Sequence, residues 1–256
     1  MTLVKILSAE WLKIKRTPIK WVVFLAPIIF SIFCMWYFSS RKITPNIQIS
    51  IFQTYFKSFA TMVIPMLVGL ISGFIIYEEE LAGSFNGFLG CKLSRVSLYL
   101  GKLIMLIMLT SASIIIATFV LIFGLSVFMK IKVSWIVFIR AALFMEIGTI
   151  PLLAFNLWLS LAFGMGASIG FGGAGIVISG VMAIIGDKVW QFVIFSWPER
   201  LSAVQIFYLP GVGIKNHNYI FNETVKGIIP VTLSLVVILG LGLVWFSKWE
   251  GRKSYD

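Results

Sequence analysis

Long stretches without a charged side chain constrain this chain more than any other feature. Residues 21–38, 58–77, 103–129, 147–186 and 228–247 contain no Asp, Glu, Lys or Arg. About 20 apolar residues in a helix cross the hydrocarbon core of a bilayer, so 147–186 suffices for nearly two crossings. Inside lipid the backbone must satisfy its own hydrogen bonds, which leaves helices and closed barrels. The runs are continuous rather than alternating, against the barrel pattern. The expected fold is all-α: a polytopic membrane protein with six transmembrane helices at about 19–38, 52–77, 103–129, 134–163, 167–186 and 227–247, forming one domain over 1–256. With 59% hydrophobic and 12% charged residues, the composition departs from the ~25% charged of soluble domains.

Residues 3–16 precede the first span. Leu3, Val4, Leu7, Trp11 and Ile14 share one helical face, and Lys5, Ser8, Lys13 and Arg16 the other. This predicts an amphipathic elbow helix in the membrane interface; the alternative is a short cytosolic tail. Thr17-Pro18 ends it, because proline cannot continue the ladder. No small-x-small cleavage site follows the first apolar run, so it reads as an uncleaved span. Six spans place both termini on one side. Five basic residues precede the first span and Arg41-Lys42 follow it, which predicts cytoplasmic termini. The net charge of +11 sits largely beside spans, where it suits anionic lipid head groups; no basic run interleaved with stacking aromatics indicates nucleic acid. Cys34 and Cys91 fall toward opposite faces, so no disulfide is expected.

Enzyme chemistry finds little material. There is no Gly-x-x-x-x-Gly-Lys-Ser/Thr phosphate loop and no His-Glu-x-x-His. His217 is the only histidine, too few for a metal centre or an intramembrane protease base. No cofactor and no metal are expected in this chain. The glycines at 164–175 read as packing residues, with Gly166 and Gly170 as a small-residue pair for close helix approach.

Glu146 lies in the fourth span. Intramembrane carboxyls are costly and face a bundle interior or a water path. Arg140 is six residues away, about 240° round the helix, so Glu146 is expected to pair with another helix or subunit, or to serve substrate or gating. Between spans five and six, 187–226 is polar and aromatic by turns. Residues 189–197, with Trp190, Phe195 and Trp197, are too short to span, and Pro198-Glu199 suits a helix start. Two arrangements fit: short re-entrant helices in the outer leaflet, or a helix on the lipid head groups.

The compact polar stretch is 78–102. Glu78, Glu79 and Glu80 close the second span. Gly83 and Gly87 break a short helix carrying Phe85, Asn86, Phe88 and Leu89, and Lys92, Arg95 and Lys102 follow. An apolar knob in the cytosol needs a groove to bury it; otherwise the stretch is a loop on the membrane. In order along the chain, these features resemble the permease subunits of type-2 ABC exporters: elbow helix, six spans, coupling helix between spans two and three, and re-entrant helices between five and six. Within that group, Glu79-x-x-x-Gly83-Ser84-Phe85-x-Gly87-Phe88-Leu89-Gly90, then Ser94-Arg95, Leu98-Tyr99-Leu100 and Gly101-Lys102, looks like the lantibiotic-immunity permeases. So does the opening Glu10-Trp11-Leu12-Lys13-Ile14-Lys15-Arg16-Thr17. The resemblance implies a bacterial cell-membrane protein working with a second permease chain, paralogous or identical. Two copies of a separate ABC ATPase would carry ATP and Mg and dock on the coupling helix through Glu79, Glu80, Phe85, Asn86, Phe88 and Leu89. The cargo would be a lantibiotic or similar cationic antimicrobial peptide, expelled from the membrane to give producer self-immunity, with the aromatic outer helices (Trp190, Phe195 and Trp197) as the cargo-facing surface. Another cargo (a drug, a lipid-linked precursor or a polymer) and a non-transporting scaffold or signalling subunit are the alternatives.

Overall fold

A computed structural model describes residues 3–15, 17, 19–41, 46–83, 85, 90, 94–213 and 217–251. Asn86, Phe88, Leu89 and Cys91 therefore lie outside the described residues. These residues form helices and turns without a strand: α1 (Leu3–Lys15), α2 (Ile19–Ser39), α3 (Ile47–Leu81), α4 (Arg95–Val127), α5 (Trp135–Phe163), α6 (Met165–Ile185), α7 (Trp197–Ala203) and α8 (His217–Ser247). Helices α2 to α6 and α8 are long and apolar enough to cross a membrane.

Helix ends follow local chemistry. The Thr17 hydroxyl donates to the Ile14 carbonyl at 2.9 Å and closes α1. Gly83, at φ +119°, follows α3 in the left-handed region that glycine tolerates. Ser94 caps α4 by accepting from the Ser97 N–H at 3.1 Å. Helices α3 and α4 have 35 and 33 residues, about 50 Å each at 1.5 Å per residue. Both exceed a ~30 Å hydrocarbon core, so Glu78–Glu80 and Lys102 are helical residues beyond the apolar stretches.

The buried helix is α3, packed on α2, α4, α5 and α6. It carries a π-turn at Phe59–Val63, just before Pro65. Proline has no N–H for the carbonyl four residues back. That carbonyl, on Thr61, accepts the Ser179 hydroxyl of α6 at 2.8 Å, so a neighbouring span satisfies a group that lipid would leave bare. The same pair of helices touches backbone to backbone. A Cβ at Gly69 would lie 2.7 Å from the Ser168 carbonyl oxygen, and one at Gly172 would lie 2.7 Å from that of Pro65. The Ser168 hydroxyl donates to the Gly69 carbonyl at 2.9 Å. The expected Gly166–Gly170 pair is thereby corrected: a Cβ at either would meet nothing within 4 Å. The close approach lies on the face carrying Ser168, Gly172 and Gly175.

Helix α1 packs on α4 and α2. Its buried face holds Ile6, Glu10 and Ile14, while Trp11 is 39% and Leu12 62% exposed. Trp11 belongs to the apolar face expected to meet the membrane interface; the stripe that turns inward on the bundle includes a carboxylate. The expected short apolar helix at 189–197 is two 3-10 turns, Trp190–Phe192 and Ile194–Ser196, leading into α7. The segment folds back along α5. A Cβ on Gly148, about 20 Å along α5 from its start, would lie 2.8 Å from the Pro198 nitrogen.

Candidate functional site

Four charged side chains from three helices meet where α1, the end of α3 and the start of α4 converge. The Lys102 ammonium is 2.5 Å from Glu10 Oε2 and 2.5 Å from Glu79 Oε1. The Lys13 ammonium is 2.5 Å from the same Glu79 oxygen and 3.3 Å from Glu10 Oε1. Lys102 is 2% exposed, Glu79 5% and Glu10 7%. Two carboxylates and two ammonium groups balance, as burial demands. Burial is the largest single influence on Lys13 and pulls its pKa down, but Glu10 and Glu79 together outweigh it and raise the value. Beside the cluster, a Cβ on Gly101 would sit 2.7 Å from Ile6 Cγ2, so α1 lies tightly against α4.

The cluster flanks the segment between α3 and α4. Glu79 lies less than one turn before its start and Lys102 lies two turns into α4, so both ends of the expected coupling loop are tied to α1. Glu80 is half-buried beside Glu79. Phe85 sits in the left-handed region at φ +68°, which costs an L-residue roughly 1–2 kcal/mol. Its ring is 1% exposed and meets Trp249 edge to face at 5.0 Å. Burial of a Phe side chain is worth about 1.5–3 kcal/mol, enough to offset the backbone cost. Trp249 stacks on Phe246 at 5.6 Å, and its carbonyl accepts from Arg95 Nη1 at 2.9 Å. The expectation that Phe85 offers its ring to a partner is therefore corrected: its ring fastens the loop to the segment following α8.

Glu146 is joined to another helix. Its Oε1 accepts from Thr110 at 2.8 Å and Ser111 at 3.0 Å, both on α4, while Oε2 is buried without a hydrogen bond among the described residues. Arg140 is elsewhere, over the Tyr208 ring at 4.1 Å. The three aromatic residues of the expected cargo surface separate. Trp190 lines a cleft. Phe195 packs on Phe171 at 4.9 Å and against Gly175. Trp197 lies against Gly148, and its indole N–H donates to the Gln191 carbonyl at 3.1 Å. Phe195 and Trp197, each 4% exposed, anchor the segment rather than face a cargo.

Sequence reading did not bring together Glu10, Lys13 and Lys102. The available signal was a carboxylate in an otherwise basic α1, three residues from a lysine. Nor does it bring together the cleft residues Lys57, Glu199, Arg200 and Glu223. Among the described residues, no group of three His, Cys, Asp or Glu is placed to hold a metal ion.

Residues 6–186, about seven-tenths of the chain, match the family model described as ABC-2 family transporter protein. No curated protein and no solved structure matches the chain.

Proposed function

The chain belongs to the ABC-2 transporter family as a multi-pass membrane permease, and from that footing we propose that it drives a cationic antimicrobial peptide of the lantibiotic class out of a bacterial cell membrane. Permeases of this kind are non-catalytic and bind no cofactor. They pair with ABC ATPase subunits, which bind the ATP.

In this reading two permease chains and two ATPase copies form the exporter. The α1 end of the bundle, with both termini, faces the cytoplasm, and residues 78–102 receive the ATPase stroke. The observation that carries the mechanical part is the ion cluster. Glu79 and Lys102 flank the coupling segment and both are ion-paired to α1, Glu79 through Lys13 and Lys102 through Glu10, so a push on the segment moves α1, α3 and α4 as one unit. The Phe85–Trp249 contact adds the last span to that unit. The peptide cargo is supported by the motif of residues 79–102 and by α1. Glu146, held between α4 and α5, is placed to report relative movement of those spans.

The test is expression of the chain with its ATPase and partner permease in a peptide-sensitive strain. The tolerated lantibiotic concentration rises, and peptide is released into the medium. Unchanged tolerance with no release removes the immunity reading. Raised tolerance to a drug, or release of a lipid-linked precursor or polymer instead, reassigns the cargo and leaves the permease assignment standing.

A further inference from the structure

At the end of the bundle away from α1, a cleft of about 550 Å³ opens between the first turns of α3, the end of α6, α7 and the start of α8. Its floor contains Glu199. Pro198 starts α7 with φ already suited to a helix, which sets Glu199 in the first turn. The residue is 8% exposed, and its Oε2 makes no hydrogen bond among the described residues. A buried carboxylate oxygen without a hydrogen bond is costly, and the cleft is where a compensating group can enter.

The neighbouring cations compensate it incompletely. Arg200 Nε lies 3.3 Å from Glu199 Oε2, but neither atom achieves hydrogen-bond alignment. Arg200 is drawn the other way, with Nη2 2.7 Å from Asp187 Oδ1 and 3.3 Å from the Met182 carbonyl. Lys57 stands on the cleft wall, exposed, without an ion pair among the described residues. A second carboxylate, Glu223, lies on the α8 side and holds Lys226 at 2.6 Å. The remaining walls include Phe52, Trp190 and Tyr219. Aromatic faces attract cations and also accept apolar chains.

We propose that this cleft binds the ammonium or guanidinium group of an amphipathic peptide, with the charge met by Glu199 and the adjoining apolar side chains laid on Tyr219, the exposed ring of the cleft wall. This inference rests on the peptide-export reading and deepens it, by giving the cargo a binding site within one permease chain. An anionic head group has a different requirement: it would take Lys57 and be repelled by Glu199.

The permease with its ATPase partner is placed in phosphatidylcholine nanodiscs. The probe is a fluorescein-labelled peptide of Lys, Leu and Trp, with a second preparation whose lysines are acetylated. Anisotropy above that of protein-free discs reports binding. The lysine peptide binds wild type, and acetylation abolishes the protein-specific part. Glu199→Gln weakens it about tenfold or more, as expected for loss of a charged hydrogen-bond partner. Lys57→Met strengthens it by removing a competing cation. Equal binding of the acetylated peptide, no binding above empty discs, an unchanged affinity in a folded Glu199→Gln, or weaker binding in Lys57→Met each overturns the proposal. The last outcome identifies an anion as the ligand. The acetylation comparison uses wild type alone and stands even when Glu199→Gln does not fold. Failure of the site is distinct from failure of the exporter reading: wild-type cells that gain tolerance while Glu199→Gln cells gain equally lose only the site. Glu199-dependent binding without wild-type tolerance loses only the export function.

Discussion

Replacing Lys102 with Met removes a buried cation while keeping its length and most of its volume. Lys102 is 2% exposed and 2.5 Å from each of Glu10 and Glu79. Its loss leaves two buried carboxylates with Lys13 alone, whose side chain is 45% exposed and already spans both. Breaking a buried ion pair costs about 3–5 kcal/mol, because the abandoned charge stays desolvated. Lys13 still offsets part of that, so the lower end applies, about 3 kcal/mol. At 1.4 kcal/mol per tenfold this shifts α1 docking roughly 100-fold toward release. The assay compares Lys102→Met with a triple variant, Glu10→Met, Glu79→Met and Lys102→Met, which removes every abandoned charge. Thermal unfolding of the purified complex and proteolytic cutting of α1 are both followed. Lys102→Met unfolds at lower temperature and exposes α1 to cutting; the triple variant recovers most of the loss. A Lys102→Met protein as stable as wild type, or a triple variant no better than the single one, refutes the ion cluster as the fastening of α1.

Three further outcomes follow from the packing. Phe85→Ala loses about 3–5 kcal/mol, the usual cost of truncating a buried Phe, and Trp249→Ala matches it. Cutting rates within 86–93 rise in both variants, and a rise in only one of them separates the two residues. Gly172→Ala lowers thermal stability because its Cβ meets the Pro65 carbonyl oxygen at 2.7 Å, whereas Gly170→Ala, with nothing within 4 Å, leaves it unchanged. Glu146→Gln preserves expression and an acceptor for Thr110 and Ser111 yet impairs peptide release; unaltered release confines Glu146 to a structural role.

The six crossings were readable because lipid excludes charge, and charge is visible residue by residue. Helix ends were less so. Hydropathy marks where lipid stops, and α3 and α4 continue past that limit through Glu78–Glu80 and from Arg95 to Lys102. The ion cluster was hidden because its members lie at 10, 13, 79 and 102, and only tertiary packing brings them together. In α1 the basic residues suited lipid head groups equally well, so Glu10 entered only as part of a motif and not as a buried counter-ion. For the glycines, spacing was visible but facing was not, and the contact falls on Gly172 rather than on Gly166 and Gly170. Phe85 illustrates the same limit: an apolar residue in a polar stretch must be covered, but sequence does not say by what. The covering group, Trp249, is 164 residues away along the chain.

The ion cluster also imposes a timetable on synthesis. Glu10 and Lys102 are separated by 92 residues, so the carboxylate leaves the ribosome long before its buried counter-ion. Glu79 and Lys102 follow only once the first two spans have been made. Until then Glu10 has Lys13 as its near neighbour, and that pair is solvated at no great cost. The first helix of the chain is thus seated only after two spans have followed it, waiting at the bilayer surface until the third span delivers its lysine.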